Sequence, residues 1–128
     1  MAGETDLQTM LATITVDHRP GLYCFVTGHD DLLSSAEATV REDEGLTLVV
    51  SVDVARRHGI EPEFVAAWLT LRVHSALEAV GLTAAFAAVL TTEAISCNVI
   101  AGFHHDHLLV PADRVDDAIA AVESLRSS

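Results

Sequence analysis

Basic residues are scarce in this sequence. Seven Lys plus Arg stand against nineteen Asp plus Glu, for a formal net charge of −12. Such a chain repels the phosphate backbone of nucleic acids and the anionic surface of a membrane, so neither is an expected partner. Arg56 and Arg57 form the only adjacent basic pair, too little to make a local patch. The acid excess itself reads as solubility and does not by itself predict a cationic ligand. Cysteine is equally sparse: Cys24 and Cys97 lie far apart, each inside an apolar run, and neither belongs to a Cys-x-x-Cys pair. Two small buried thiols account for them, and the expected compartment is a reducing cytoplasm. A disulfide or a two-cysteine metal site would need a proximity in space that the sequence does not show.

No apolar run reaches the length of a membrane span. Met1 to Leu7 carries Glu4 and Asp6 and has no apolar core, so no secretory signal is expected. There is no Gly-x-Ser-x-Gly elbow, no phosphate-binding loop and no His-Glu-x-x-His motif. Ser75 stands beside His74, but successive side chains of a strand point apart, so adjacency makes no nucleophile and base pair. The expectation is a protein that is not an enzyme and carries no cofactor.

What is present is half apolar over 128 residues, enough for one compact domain or two small fused ones. In the first part, Leu11 to Val16 alternates apolar and Thr positions as a strand does, His18-Arg19-Pro20-Gly21 has turn chemistry, and Leu22 to Thr27 reads as a second strand. Gly28 to Ser35 reads as a loop or short capped turn, and Ala36 to Glu42 as a third strand. Leu46, Leu48, Val50 and Val52 then recur at period two, followed by a short helical piece from Val54 to His58 that ends at Gly59.

Beyond Pro62, Leu69, Leu71 and Val73 share a strand face. From Glu78 the period changes to about 3.6, with Leu82, Phe86, Val89 and Leu90 on one helical stripe. Ile95, Cys97, Val99 and Ala101 predict another strand face, Gly102 breaks it, and His107 to Val110 predicts its hairpin partner. Asp113 is placed to cap a last helix whose apolar face is Val115, Ala118, Ile119, Val122 and Leu125. The second part is therefore β, α, β, β, α, most of a split β-α-β unit with its helices on one face of a sheet. One strand is missing and must come from the first part or from a partner chain.

The run Glu78-Ala79-Val80-Gly81-Leu82-Thr83-Ala84, with Ala94-Ile95 and Leu109-Val110-Pro111, resembles the ACT domain, a ferredoxin-like regulatory module that binds amino acids and related effectors. Adding Glu44-Gly45-Leu46-Thr47-Leu48, Cys97-Asn98-Val99 and His105-Asp106-His107, the chain is similar to small bacterial proteins with tandem ACT-like halves and no established function. A more distant likeness is to the ACT-based cytosolic arginine sensors of eukaryotes. The resemblance implies an α+β ferredoxin-like (ACT) sandwich with antiparallel sheets and helices on one face. It divides the chain into a degenerate ACT-like half, 1–62, and an ACT domain, 63–128. It also implies a homodimer and a non-catalytic regulatory or sensor role. Val80 stands where the family pattern has Pro, Ala94 where it has Gly, and Ser96 where an Asn often contacts the ligand, which leaves the effector's identity open.

Physical chemistry points to the same place. A helix that starts near Val80-Gly81 exposes unpaired N–H groups and the positive end of its dipole, which suits a carboxylate. Gly81 lets a ligand approach the backbone, Ser75 offers a hydroxyl, Glu78 favours an ammonium group or caps the helix, and Asn98 offers an amide at the sheet edge. The expected ligand site is thus Ser75, Glu78, Val80, Gly81, Leu82, Thr83 and Asn98, and the expected partner an amino acid or similar small polar molecule.

Against this stands a metal-dependent enzyme built on His104-His105-Asp106-His107. On an extended hairpin only His105 and His107 share a face, so a third ligand such as His74 would be needed. A protein-interaction module using a free sheet edge, without a small ligand, is the other alternative.

Overall fold

The computed structural model describes residues 6–73 and 80–127. In chain order its elements are α1 (Leu7–Ala12), β1 (Thr15–Thr27), a 3-10 turn (Asp30–Ser35), β2 (Ala38–Glu42), β3 (Gly45–Ser51) and α2 (Val52–Arg57). Then follow β4 (Ala66–Arg72), α3 (Leu82–Thr92), β5 (Asn98–Ala101), β6 (Asp106–Pro111) and α4 (Val115–Glu123). The six strands form one antiparallel sheet in the order β2-β3-β1-β4-β6-β5. On each side of the central β1 and β4 pair the neighbours run third strand, then second strand, of that half. The two halves therefore share one topology, with the 3-10 turn standing where the second half has α3. This is the α+β, ferredoxin-like architecture expected from the sequence.

The missing strand of the second half is β1, which pairs with β4 from Thr15 to Tyr23. It is supplied within the chain, so the incomplete sheet no longer argues for a partner. Past Tyr23 the same strand pairs with β3. Tyr23 pairs with both, Ala66 of β4 and Ser51 of β3, and just before it the β4 register slips across Pro20-Gly21, between Arg19 and Tyr23. The predicted turn at His18 to Gly21 is therefore a bulge inside one long strand. Proline withholds a ladder hydrogen bond there without reversing the chain, and the Tyr23 hydroxyl donates to the Pro20 carbonyl at 2.8 Å.

Three other local expectations are corrected. Leu11 and Ala12, predicted to open a strand, close α1 instead. Leu7, Met10, Leu11 and Ile14 follow helical spacing, and Asp6 caps the helix by accepting from Thr9 N at 3.3 Å and Thr9 Oγ1 at 2.7 Å. The strand predicted from Ile95 begins only at Asn98, because Ala94 leaves α3 at φ 56 and drops Ile95 into the core. Asp113 does not cap α4: it lies in a 3-10 turn, Ala112–Arg114, and Arg114 occupies the capping position without a side-chain capping bond, its guanidinium donating to Asp117 and to Glu93 O instead.

The strands alternate between two interiors. On the helical side, Leu69, Leu71, Leu108 and Val110 meet Phe86 and Leu90 of α3 and Ala118 and Val122 of α4, together with Met10 and Ile14 from the N-terminal segment. The first half packs Cys24, Val26, Leu48 and Val50 against Val52 and Ala55 of α2. On the opposite side, Tyr23, Val49, Ala66, Trp68 and Leu109 are buried together. None of these comes from a described helix. They are covered because the sheet curls, bringing β2 and β5, its two edges, to line one cavity.

Candidate functional site

α3 starts at Leu82, and Gly81 before it takes the left-handed conformation, φ +102. No described side chain caps this end and no acidic residue stands in the first turn. Among the described residues, the first N–H along it to find a carbonyl is that of Ala85, bonded to Gly81 O at 2.9 Å. The earlier N–H groups carry the positive end of an eleven-residue helix. Leu82 is buried in the core and offers only its backbone, whereas Thr83 is exposed on the first turn and Val80 is 82% exposed beside it. Gly81 has a structural role too: a Cβ there would lie 3.0 Å from Leu7 Cδ2, so α1 closes on the same corner.

Ser75 and Glu78, and with them His74, lie outside the described residues. Asn98 does not join the helix start. It sits across from Leu109 on the concave side of the sheet, its Nδ2 donating to Leu109 O over a long 3.5 Å. Val80, Gly81, Leu82 and Thr83 are thus together on the helical side, and Asn98 is on the other.

The histidine hairpin is committed to the sheet. Gly102 N donates to His105 O at 2.9 Å, and a Cβ at residue 102 would approach that oxygen to 2.9 Å, so the turn requires glycine. Trp68 Nε1 donates to His107 Nδ1 at 3.3 Å, and Thr70 Oγ1 lies 3.0 Å from the same nitrogen. An indole N–H can only donate, so Nδ1 carries the lone pair and the imidazole proton sits on Nε2. Burial above all, then the charges of Arg19 and His105, holds the His107 pKa below its ordinary value, with Asp106 opposing. Arg72 Nη1 lies 3.3 Å from His105 Nε2, and the His104 ring meets Phe103 edge-on. Among the described residues no three of His, Cys, Asp and Glu converge as a metal site requires.

The concave face also holds a polar network that no local motif announces. The Arg19 guanidinium lies 4.0 Å from the centroid of the Trp68 ring, and its Nη1 donates to Glu37 Oε1 at 2.8 Å. Trp68 passes the chain on to His107, and Asp17 pairs with Arg72 one row along. The register that lines up Arg19, Trp68 and Leu109 is the only signal that predicts it.

Two family models, both described as ACT domain, match residues 2–67 and 63–124. A Vibrio cholerae protein of unknown function, described as a possible transport protein, is 41% identical over 94% of this chain and 95% of its own, with a TM-score of 0.84. A protein from Agrobacterium tumefaciens matches at 18% identity and TM-score 0.62, covering 88% of this chain and 89% of its own. The regulatory subunit of aspartate kinase from Thermus thermophilus matches at 12% identity and TM-score 0.55, over 88% of this chain and 95% of its own. At such identities the likeness is one of fold. None of the curated proteins matches the chain. The two tandem matches and the relative at 41% identity agree with the strand order, and the chain belongs to the ACT domain family.

Proposed function

We propose that this protein is a regulatory or sensor protein, without catalytic activity, that binds an amino acid or similar small polar molecule at the start of α3. The observation that carries this is the start of an eleven-residue helix that no described side chain caps, opened by a left-handed glycine and free of acidic residues in its first turn. The N–H groups of Leu82 and Thr83 would receive the carboxylate. Ser75 and Glu78 are the residues proposed to meet the ammonium end, and Val80 the side chain. The regulatory part of the reading draws on family membership and on the likeness in fold to an aspartate kinase regulatory subunit. Residues 1–62 and 63–128 are proposed as the two ACT-like halves, in a cytoplasmic homodimer. Light scattering that gives one concentration-independent monomer mass sinks the dimer.

Thermal-shift screening of the twenty amino acids tests the ligand. A ligand at a hundred times its Kd adds about 2.7 kcal/mol, several degrees in Tm for a domain of this size. Thr83→Asp should remove the shift, because an exposed aspartate in the first turn suits the helix but repels a carboxylate. No stabilisation by any amino acid at millimolar concentration overturns the proposal.

A further inference from the structure

The outer strands of the described sheet, β2 and β5, line the same space. Ala38, Thr39 and Val40 of β2 and Asn98, Val99 and Ile100 of β5 border a cavity of about 370 Å³. Phe25, Val49 and Thr47 lie on the strands behind β2, in cross-strand rows with Ala38 and Val40. We propose that this cavity is a second binding site, distinct from the start of α3, for a small uncharged molecule that is mostly apolar and carries one hydrogen-bonding group.

Three observations support that class. First, Phe25 and Val40 are 39% and 56% exposed, and these partly wet apolar side chains share the concave face with Ala38 and Ile100, against the rows that cross-strand pairing sets through Val49 and Leu109. Clustered apolar exposure of this kind marks a binding surface, whereas single exposed side chains are ordinary. Second, among the described residues no carboxylate or basic side chain lines the cavity. A zwitterion would shed its water there without a countercharge, so the ligand class differs from that proposed for the helix start. Third, polar groups are few and placed at the rim. Asn98 makes a long amide bond, and among the described residues no further strand pairs with the outer edges of β2 and β5. Thr47 is already bonded to Glu42. A volume near 370 Å³ sits at the small end of ligand pockets, which run from about 300 to about 1,000 Å³. The edges are only five and four residues long, and β2 ends in Arg41 and Glu42, features that discourage an added strand.

The test titrates the full chain with N-phenyl-1-naphthylamine, a neutral aromatic amine with one N–H that fluoresces when desolvated. One saturable site per chain is expected. Val40→Asp should weaken it about tenfold or more by placing a charge in the wall. Leu33→Asp, at a side chain 52% exposed but away from the cavity, should leave it unchanged. If Val40→Asp does not fold, Val40→Thr should weaken binding about fourfold, one methyl's worth. Free amino acids should not displace the bound probe. The inference fails if binding does not saturate, if the folded Val40 variant binds as the parent does, or if both aspartate variants weaken it equally. It fails too if Val40→Asp changes only the oligomeric state, which would assign the edges to a second copy. None of these outcomes bears on the amino-acid screen.

Discussion

The two halves share a strand order and differ in what lies over it. Over the second half lie α3, eleven residues, and α4, nine, and Met10 and Ile14 from the N-terminal segment join their core. Over the first half lie a six-residue 3-10 turn and a six-residue α2. The helix ends differ as well. The 3-10 turn opens with Asp30 and Asp31, which would repel a carboxylate, and α2 is closed by Ser51, whose Oγ accepts from Val54 N at 3.1 Å. Among the described elements, α3 alone combines length, an end that no described side chain caps and no acid in its first turn. The halves thus differ in the length of the elements over the sheet and in how those elements begin.

The largest expected effect sharpens this contrast in packing. Phe86 is fully buried between α3 and the sheet, and Phe86→Ala should cost about 3–5 kcal/mol. Leu32 is the buried residue of the 3-10 turn. With a smaller core beneath it that can collapse around the gap, Leu32→Ala should cost about 2 kcal/mol, the low end for such changes. Urea denaturation of both variants measures the difference. Equal losses would mean that the halves are equally consolidated, contrary to their cores.

A smaller effect separates two glycines with the same backbone sign. Gly81→Ala meets both a φ of +102 and Leu7 at 3.0 Å, and should destabilise by about 2 kcal/mol. Gly59→Ala has a φ of +75 and open space, and should cost about 1 kcal/mol. If Leu7→Ala relieves part of the Gly81→Ala penalty in a double-mutant cycle, α1 is shown to seal the start of α3. An additive result would leave backbone strain as the whole cause.

How much of this was legible depended on the range of the information. Leu46, Leu48 and Val50 announce β3 because each alternate side chain enters one core, and Leu82, Phe86 and Leu90 announce α3 for the same reason at helical spacing. Gly81 was legible as a helix start because its chemistry is local. Pro20-Gly21 misled because a turn signal is local, whereas β1 is held through it by two different partner strands. Asn98 was placed correctly at a sheet edge, but which face it served depended on its pairing with Leu109. The curl that brings β2 to β5, and the Arg19, Trp68 and His107 network, arise from long-range register, which no short window of sequence contains.

The smallest effect crosses the boundary between the halves. The His107 pKa is held below its ordinary 6.5, chiefly by burial and then by Arg19 and His105, against the pull of Asp106. Above that value both folded and unfolded chains hold the imidazole neutral, and His107 does not affect stability. As pH falls through it, the unfolded chain takes up a proton that the folded one refuses, and stability declines until the folded pKa is passed. Burial of Asp106 raises its pKa, so in the carboxylate range the folded chain protonates first and eases the decline. Tm should therefore fall between about pH 7 and about pH 5.5, and less so in His107→Asn, whose amide oxygen can accept from Trp68 without titrating. The fluorescence of Trp68, the chain's single tryptophan, should shift over the protonation of folded His107. Arg19 lies on a first-half strand, and Arg19→Met should move that midpoint upward, toward the ordinary histidine value. An unmoved midpoint would show that the two halves meet here in packing alone, without electrostatic coupling between them.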